Sequence, residues 1–85
     1  MNEEQMIVKD ALEFVAASGT TGVLKSKLLS ALRTADGQRL SPEQEGAVFS
    51  TLVGRCWIVG HMEPVWHNTR WCLTVNGSEA LSQMS

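Results

Sequence analysis

The stretch SPEQEGAVFSTLVGRCWIV, residues 41–59, decides the fold, because it carries the signals for a helix start, a helix end and a strand start in one run. Ser41 can cap the helix, Pro42 fits the first helical position, and Gln44 stands where its side chain can reach back to the Ser41 amide. The helix is predicted to end at Gly54. Its predicted buried face comprises Val48, Leu52 and either Phe49 or Val53.

Two helices are predicted upstream of this one. Helix 1 covers about residues 3–18, with Asn2 as its cap, Gln5 completing a capping box and Gly19 as its stop. A very short extended piece at Val23–Leu24 leads into helix 2, from about Lys25 to Arg33. The apolar face of helix 1 is predicted to comprise Ile7, Ala11, Phe14, Val15 and Ser18, and that of helix 2 Leu28, Leu29 and Leu32.

The connection between helices 2 and 3 is polar, with an Asp36-Gly37 turn signal, and it is longer than the turn of a tight helix-turn-helix. Downstream of helix 3, "CWIV" and "TRWCLT" are rich in β-branched and aromatic residues and predict a hairpin with a long connection. Alternation favours Trp71 and Leu73 as its core-facing side, and Asn76-Gly77 predicts a turn into a tail in which Ala80 and Leu81 close the core. The predicted core contains Phe14, Leu28, Leu32, Val48, Leu52, Trp71 and Leu73.

Length and composition bound the class of protein. Eighty-five residues with 44% hydrophobic content suit one domain, residues 1–85. Residues 1–19 have four acidic residues against Lys9, a balance of −3, whereas residues 20–85 have six basic residues against five acidic ones. An anionic partner is therefore expected to meet the later segments. The chain has no apolar run long enough for a membrane span and no secretion signal, which predicts a soluble, cytoplasmic protein without membrane contact.

Metal and catalytic sites are not expected. Cys56, His61, His67 and Cys72 are symmetrically spaced. If the hairpin pairs around Pro64, however, the cysteine pair and the histidine pair lie about 16 Å apart, too far to share a zinc ion. The cysteines are expected to be reduced thiols, with a cross-strand disulfide as the lesser alternative. The sequence carries no nucleophile–base spacing or phosphate loop, so we expect no enzyme activity and no cofactor.

The order of the predicted elements resembles the winged helix-turn-helix family over nearly the whole chain. "LSALR" is similar to the end of the family's second helix, "VFSTLVGRCWIV" to its run from helix 3 into the first wing strand, and "RWCLTVNGSEAL" to its second wing strand and small terminal helix. The resemblance implies an α+β fold: a single winged helix-turn-helix domain of three helices plus a C-terminal β-hairpin wing.

The resemblance further implies a small transcriptional regulator that binds double-stranded DNA, with helix 3 in the major groove and the wing at the backbone or minor groove. Because one module of this size buries little DNA surface, a homodimer is expected. Glu43 and Glu45 at the start of helix 3 cap it through the helix dipole, and a carboxylate can also read cytosine. The DNA-binding residues implied are Lys25, Lys27, Gln44, Ala47, Ser50, Thr51, Arg55, His67, Asn68 and Arg70, together with Glu43 and His61.

A second function fits the same sequence. Met62, Val65 and Trp66 fall in the predicted wing tip, where they either form an exposed apolar patch or, in the case of Trp66, fold back over the hairpin. The exposed alternative, together with the acidic balance of the chain, favours a winged-helix protein–protein interaction module, an adaptor or inhibitor that does not bind DNA. Either the DNA-binding surface or this wing-tip surface is therefore expected to carry the function.

Overall fold

The computed structural model describes residues 2–84, so the first and last residues of the predicted domain lie outside the described residues. The fold is α+β, with four helices and a three-stranded antiparallel sheet of order β1-β3-β2 in the described part. The elements in chain order are α1 (Glu3–Ala17), a 3-10 turn (Gly19–Thr21), β1 (Val23–Leu24), α2 (Lys25–Ala31), α3 (Pro42–Gly54), β2 (Ile58–Met62), β3 (Thr69–Leu73) and α4 (Val75–Met84).

The capping signals act as predicted at both long helices. The Gln5 amide donates to Asn2 Oδ1 over 2.8 Å, and the Asn2 amide donates to Gln5 Oε1 over 3.2 Å. At α3 the Ser41 amide donates to Gln44 Oε1 over 2.9 Å, and the Gln44 amide donates to Ser41 Oγ over 3.2 Å. These capping boxes are confirmed. They hold the starts of α1 and α3 through contacts between residues three apart.

One core joins α1, α2, α3 and the sheet. Its buried residues are Ile7, Val8, Ala11, Leu12, Val15, Val23, Leu28, Leu29, Leu32, Leu40, Val48, Leu52 and Ile58. Phe49, Trp57, Trp71, Leu73, Ala80, Leu81 and Met84 pack against it. The prediction for Phe14 is wrong: it is 38% exposed, because α1 turns its Val8–Leu12 side to the core instead. Trp71 and Leu73 are half-buried at the edge of the core.

The hairpin has a different register from the one considered in the sequence. His61 lies opposite Arg70 and not His67, while Cys72 lies opposite Val59 and not Cys56. Cys56 cannot join the ladder because it occupies the turn after α3 with φ of 58°. Strand β2 extends three residues beyond "CWIV" to Met62, while β3 begins at Thr69 as predicted, so that the tip is reduced to residues 63–68.

The end of the chain corrects two predictions. Asn76 and Gly77 do not form a turn but belong to the fourth helix, whose first turn is capped when the Gly77 amide donates to Thr74 Oγ1 over 3.0 Å. The sheet also gains a third strand over the predicted hairpin, since Val23 pairs with Trp71. Helix α2 ends at Ala31, two residues earlier than predicted. No helix among residues 2–84 is long and apolar enough to cross a bilayer.

Leu52 tests the placement of α3 in the core. It is fully buried, so Leu52→Ala is expected to lower the free energy of unfolding by about 2–5 kcal/mol, measured by urea denaturation. The adjacent Val53 is 39% exposed, and Val53→Ala is expected to stay within about 0.5 kcal/mol of the parent. Equal losses for the two variants would contradict the observed orientation of α3.

Two helical glycines are expected to respond with opposite signs to the same substitution. A Cβ on Gly77 would lie 2.1 Å from the Trp57 carbonyl oxygen, so Gly77→Ala should destabilise the fold by about 1–3 kcal/mol. A Cβ on Gly46 in α3 would meet nothing within 4 Å, so Gly46→Ala should stabilise by roughly 0.8–1 kcal/mol. Thermal melts of both variants check this, and a stable Gly77→Ala protein would refute the close approach of α4 to the α3–β2 turn.

Candidate nucleic-acid interface

Helix α3 does not present all the implied base-reading residues on one side. Gln44 and Ala47 line a groove shared with α1, where Glu3, Glu4 and Ile7 form the other side. The side-chain carbonyl oxygen of Gln44 already accepts the Ser41 amide in the capping box. Thr51 lines a second groove towards α1 and α4, and its hydroxyl donates to the Ala47 carbonyl over 2.9 Å. The outward side of α3 carries small exposed residues, Gly46 and Ser50, beside Glu43. Of the implied residues on α3, Glu43 and Ser50 line neither of these two grooves.

Lys25, the first residue of α2, contacts an aromatic side chain of α3. Its Nζ lies 4.5 Å from the centroid of Phe49 on α3, a cation–π distance. Phe49 in turn meets Trp71 of β3 edge to face, with the ring centroids 4.9 Å apart. Lys25 and Lys27 are both exposed. The two lysines therefore project from a position fixed by the packing of α2 against α3 and the sheet.

The other two implied cations lie elsewhere. The Arg55 guanidinium lies 5.4 Å from the Trp57 ring and lines grooves that run towards Asn2 and α4, a different flank of α3 from Phe49. Arg70 forms an ion pair with Glu63 across the hairpin. Arg55 thus lies apart from Lys25 on α3, whereas Arg70 lies opposite Leu24 of β1 and has a carboxylate partner of its own.

Two exposed arginines were missed by the sequence reasoning. Arg33 and Arg39 face each other across an isolated β-bridge in the connection between α2 and α3, and the Arg33 guanidinium donates to the Ser30 and Leu32 carbonyls at the end of α2. We call the four exposed basic residues of α2 and the α2–α3 connection, Lys25, Lys27, Arg33 and Arg39, the cationic face. A charge count over residues 20–40 would have found it: four basic residues stand against Asp36 there, a balance of +3. Since the whole chain has −2, the remaining residues carry −5.

The hairpin tip is a short, closed turn. The Glu63 amide donates to the Asn68 carbonyl over 2.8 Å and the His67 amide to the Glu63 carbonyl over 3.0 Å, while His67 itself adopts φ of 57°. Three apolar side chains at this turn are exposed, with exposed fractions of 66% for Met62, 74% for Val65 and 72% for Trp66. The alternative in which Trp66 folds back over the hairpin is therefore wrong. His67 and Asn68 are exposed beside it.

The thiols and histidines do not gather into a ligand set. Within residues 2–84 no three His, Cys, Asp or Glu side chains are close enough to hold a metal ion. Both cysteines are free thiols. Cys72 lies in a surface groove of about 580 Å³ between the end of α1 and the sheet, with its Sγ 3.7 Å from the Thr20 carbonyl oxygen, and His61 lines the same groove.

Comparison of the chain with protein-family models, with curated proteins and with solved structures gave no significant match. What the chain does must therefore be inferred from its own surface. That surface has two candidate regions, the cationic face on α2 and the α2–α3 connection, and the apolar hairpin tip.

Proposed function

We propose that the chain is a winged helix-turn-helix domain that binds double-stranded DNA in the cytoplasm as a small, non-enzymatic transcriptional regulator. In this proposal α2 and α3 are the helix-turn-helix and the β2–β3 hairpin is the wing. The order α1, β1, α2, α3, β2, β3, α4 supports it, as does the resemblance in the sequence.

The segregation of charge is the observation that carries the proposal. All four side chains of the cationic face are exposed, and residues 20–40, which hold them, have a balance of +3 whereas the rest of the chain has −5. Phosphate contacts supply most of the sequence-independent affinity for DNA. An overall acidic protein can therefore bind DNA by one face, and the acidic remainder disfavours any other orientation.

The outward side of α3 is suited to close approach. Gly46 and Ser50 add little bulk there, and a Cβ on Gly46 would meet nothing within 4 Å. The hydroxyl of Ser50 can donate to or accept from a base edge. Glu43 stands in the first turn, where it stabilises the helix dipole and repels phosphates. DNA is therefore expected to lie against the middle of α3 and the cationic face.

The cationic face predicts a specific salt dependence. Lys27→Ala and Arg39→Ala are each expected to flatten the slope of log affinity against log salt by about 0.9 on a mixed pool of duplexes. Lys9→Ala removes the same charge from α1, where Lys9 pairs with Glu13, and should leave the slope unchanged. Arg70→Ala should have a smaller effect, because Glu63 already neutralises that cation.

Ser50→Ala is the matched test of base reading: it should change preference among sequences without changing the slope. If the parent protein binds no duplex at low salt, or if Lys9→Ala weakens binding as much as Lys27→Ala, the cationic face is not a DNA surface.

A protein-interaction module is the second candidate, and the exposure of Met62, Val65 and Trp66 favours it. Trp and Met are enriched at the centres of protein interfaces, and a closed turn presents them with little conformational entropy to lose. On this alternative the hairpin tip binds a protein and the cationic face is only a solvated surface.

A Trp66→Ser variant distinguishes the two candidate functions. For an interaction module, Trp66→Ser should abolish recovery of a protein partner from cell extract, whereas Val75→Ser should not, although Val75 on α4 is 76% exposed. For the DNA proposal, Lys27→Ala and Arg39→Ala should still flatten the salt slope when they are made in the Trp66→Ser protein. Partner recovery that is insensitive to Trp66→Ser would exclude the tip as the binding surface.

A further inference from the structure

Strand β2 is an edge without the usual protection against pairing. It pairs with β3 alone, and no backbone hydrogen bond within residues 2–84 joins Ile58–Met62 to any other element. Its five residues, IVGHM, include no Lys, Arg, Asp, Glu or Pro, which are the residues that normally keep an exposed edge from recruiting another strand. The opposite edge, β1, is protected by being two residues long.

We propose that two copies of this chain pair their β2 strands antiparallel, with the two-fold axis at Gly60, so that the two three-stranded sheets become one continuous sheet. This register pairs all five residues of each strand: Ile58 faces Met62, Val59 faces His61, and Gly60 faces its own copy. The residues on the core side of β2 thus meet apolar residues, and no like charges oppose one another. The proposal does not depend on DNA binding.

The chain on either side of β2 supplies the rest of the contact. In an antiparallel pair, the hairpin tip of one copy lies beside the α3–β2 turn of the other. The tip carries exposed Trp66 and, at its base, Glu63; the turn carries Arg55 stacked on half-buried Trp57. Apolar surface therefore meets an aromatic ring, and the Glu63 carboxylate, which is paired with Arg70 of its own copy, lies beside a second guanidinium.

This complementarity is the reason to choose a second copy over an unrelated strand. One chain contains both the exposed apolar tip and the turn that would receive it, and the pairing uses each of them twice. The proposed pairing would cover Met62, Val65 and Trp66, which are exposed in the single chain. Edge pairing over five residues alone would bury little surface, so the tip contacts are required for a stable dimer.

Disulfide trapping tests the register. On a background of Cys56→Ser and Cys72→Ser, we would mix Val59→Cys with His61→Cys under mild oxidation. These positions face each other in the proposed pair at about 4.5–5.5 Å between Cβ atoms, whereas two copies of either single variant present thiols on the diagonal at about 7–8 Å. The mixture should therefore give mainly the cross-linked heterodimer. Equal cross-linking in the single variants, or none in the mixture, would overturn the register.

Sedimentation over a dilution series tests the dimer itself. The parent protein should associate as its concentration rises, and Val59→Lys should weaken association at least tenfold, because lysine on an edge strand opposes edge pairing. Val75→Lys on α4 is the matched control and should associate like the parent, with circular dichroism showing that both variants are folded. Trp66→Ser should also weaken association. A parent protein that stays monomeric overturns the proposal. So does a Val59→Lys protein that associates like the parent when Trp66→Ser weakens association, because the contact would then use the tip without strand β2.

Discussion

Trp71 joins all three strands of the sheet to α3. Val23 and Gly60 are its partners on either side in the sheet, and its ring meets Phe49 of α3 edge to face at 4.9 Å. The ring lies so close over β2 that a Cβ on Gly60 would be 3.1 Å from it. Lys25 in turn contacts the Phe49 ring, which links α2 to the same aromatic pair. The orientation of α3 to the sheet, and with it the position of the cationic face relative to the hairpin, therefore depends on this aromatic contact.

The parts of the fold that could be predicted are those decided by neighbours in sequence. Capping boxes involve residues three apart, so Asn2 and Ser41 could be assigned from the chain alone. The face of α1 could not, because Ile7, Ala11 and Val15 belong equally to a stripe with Phe14 and to one with Leu12. Only contact with α3, α4 and the sheet selects Leu12, which is fully buried.

The end of the chain shows the same limit. Asn-Gly is a strong turn signal in isolation, yet Thr74 caps a helix across it and Gly77 is needed for the close approach to Trp57.

The candidate site was predictable in part for a related reason. Exposure of Lys25, Lys27 and Ser50 follows from helix position, whereas the pairing of Arg70 with Glu63 depends on the hairpin register. Arg33 and Arg39 were within reach of a local charge count.

The two proposals bear on one another through symmetry. A two-fold axis perpendicular to the sheet keeps both α3 helices on the same side, since Ile58, Gly60 and Trp71 all face the core and α3 packs on that side. Each dimer would thus present two cationic faces to one duplex, and the second would bind as an intramolecular event at high effective concentration. A single face of four cations would give only modest affinity for DNA at physiological salt, where charges further apart than about 8 Å are largely screened. Pairing at β2 would therefore convert the proposed phosphate-binding surface into a bivalent one, and it would compensate for the lack of cations on α3.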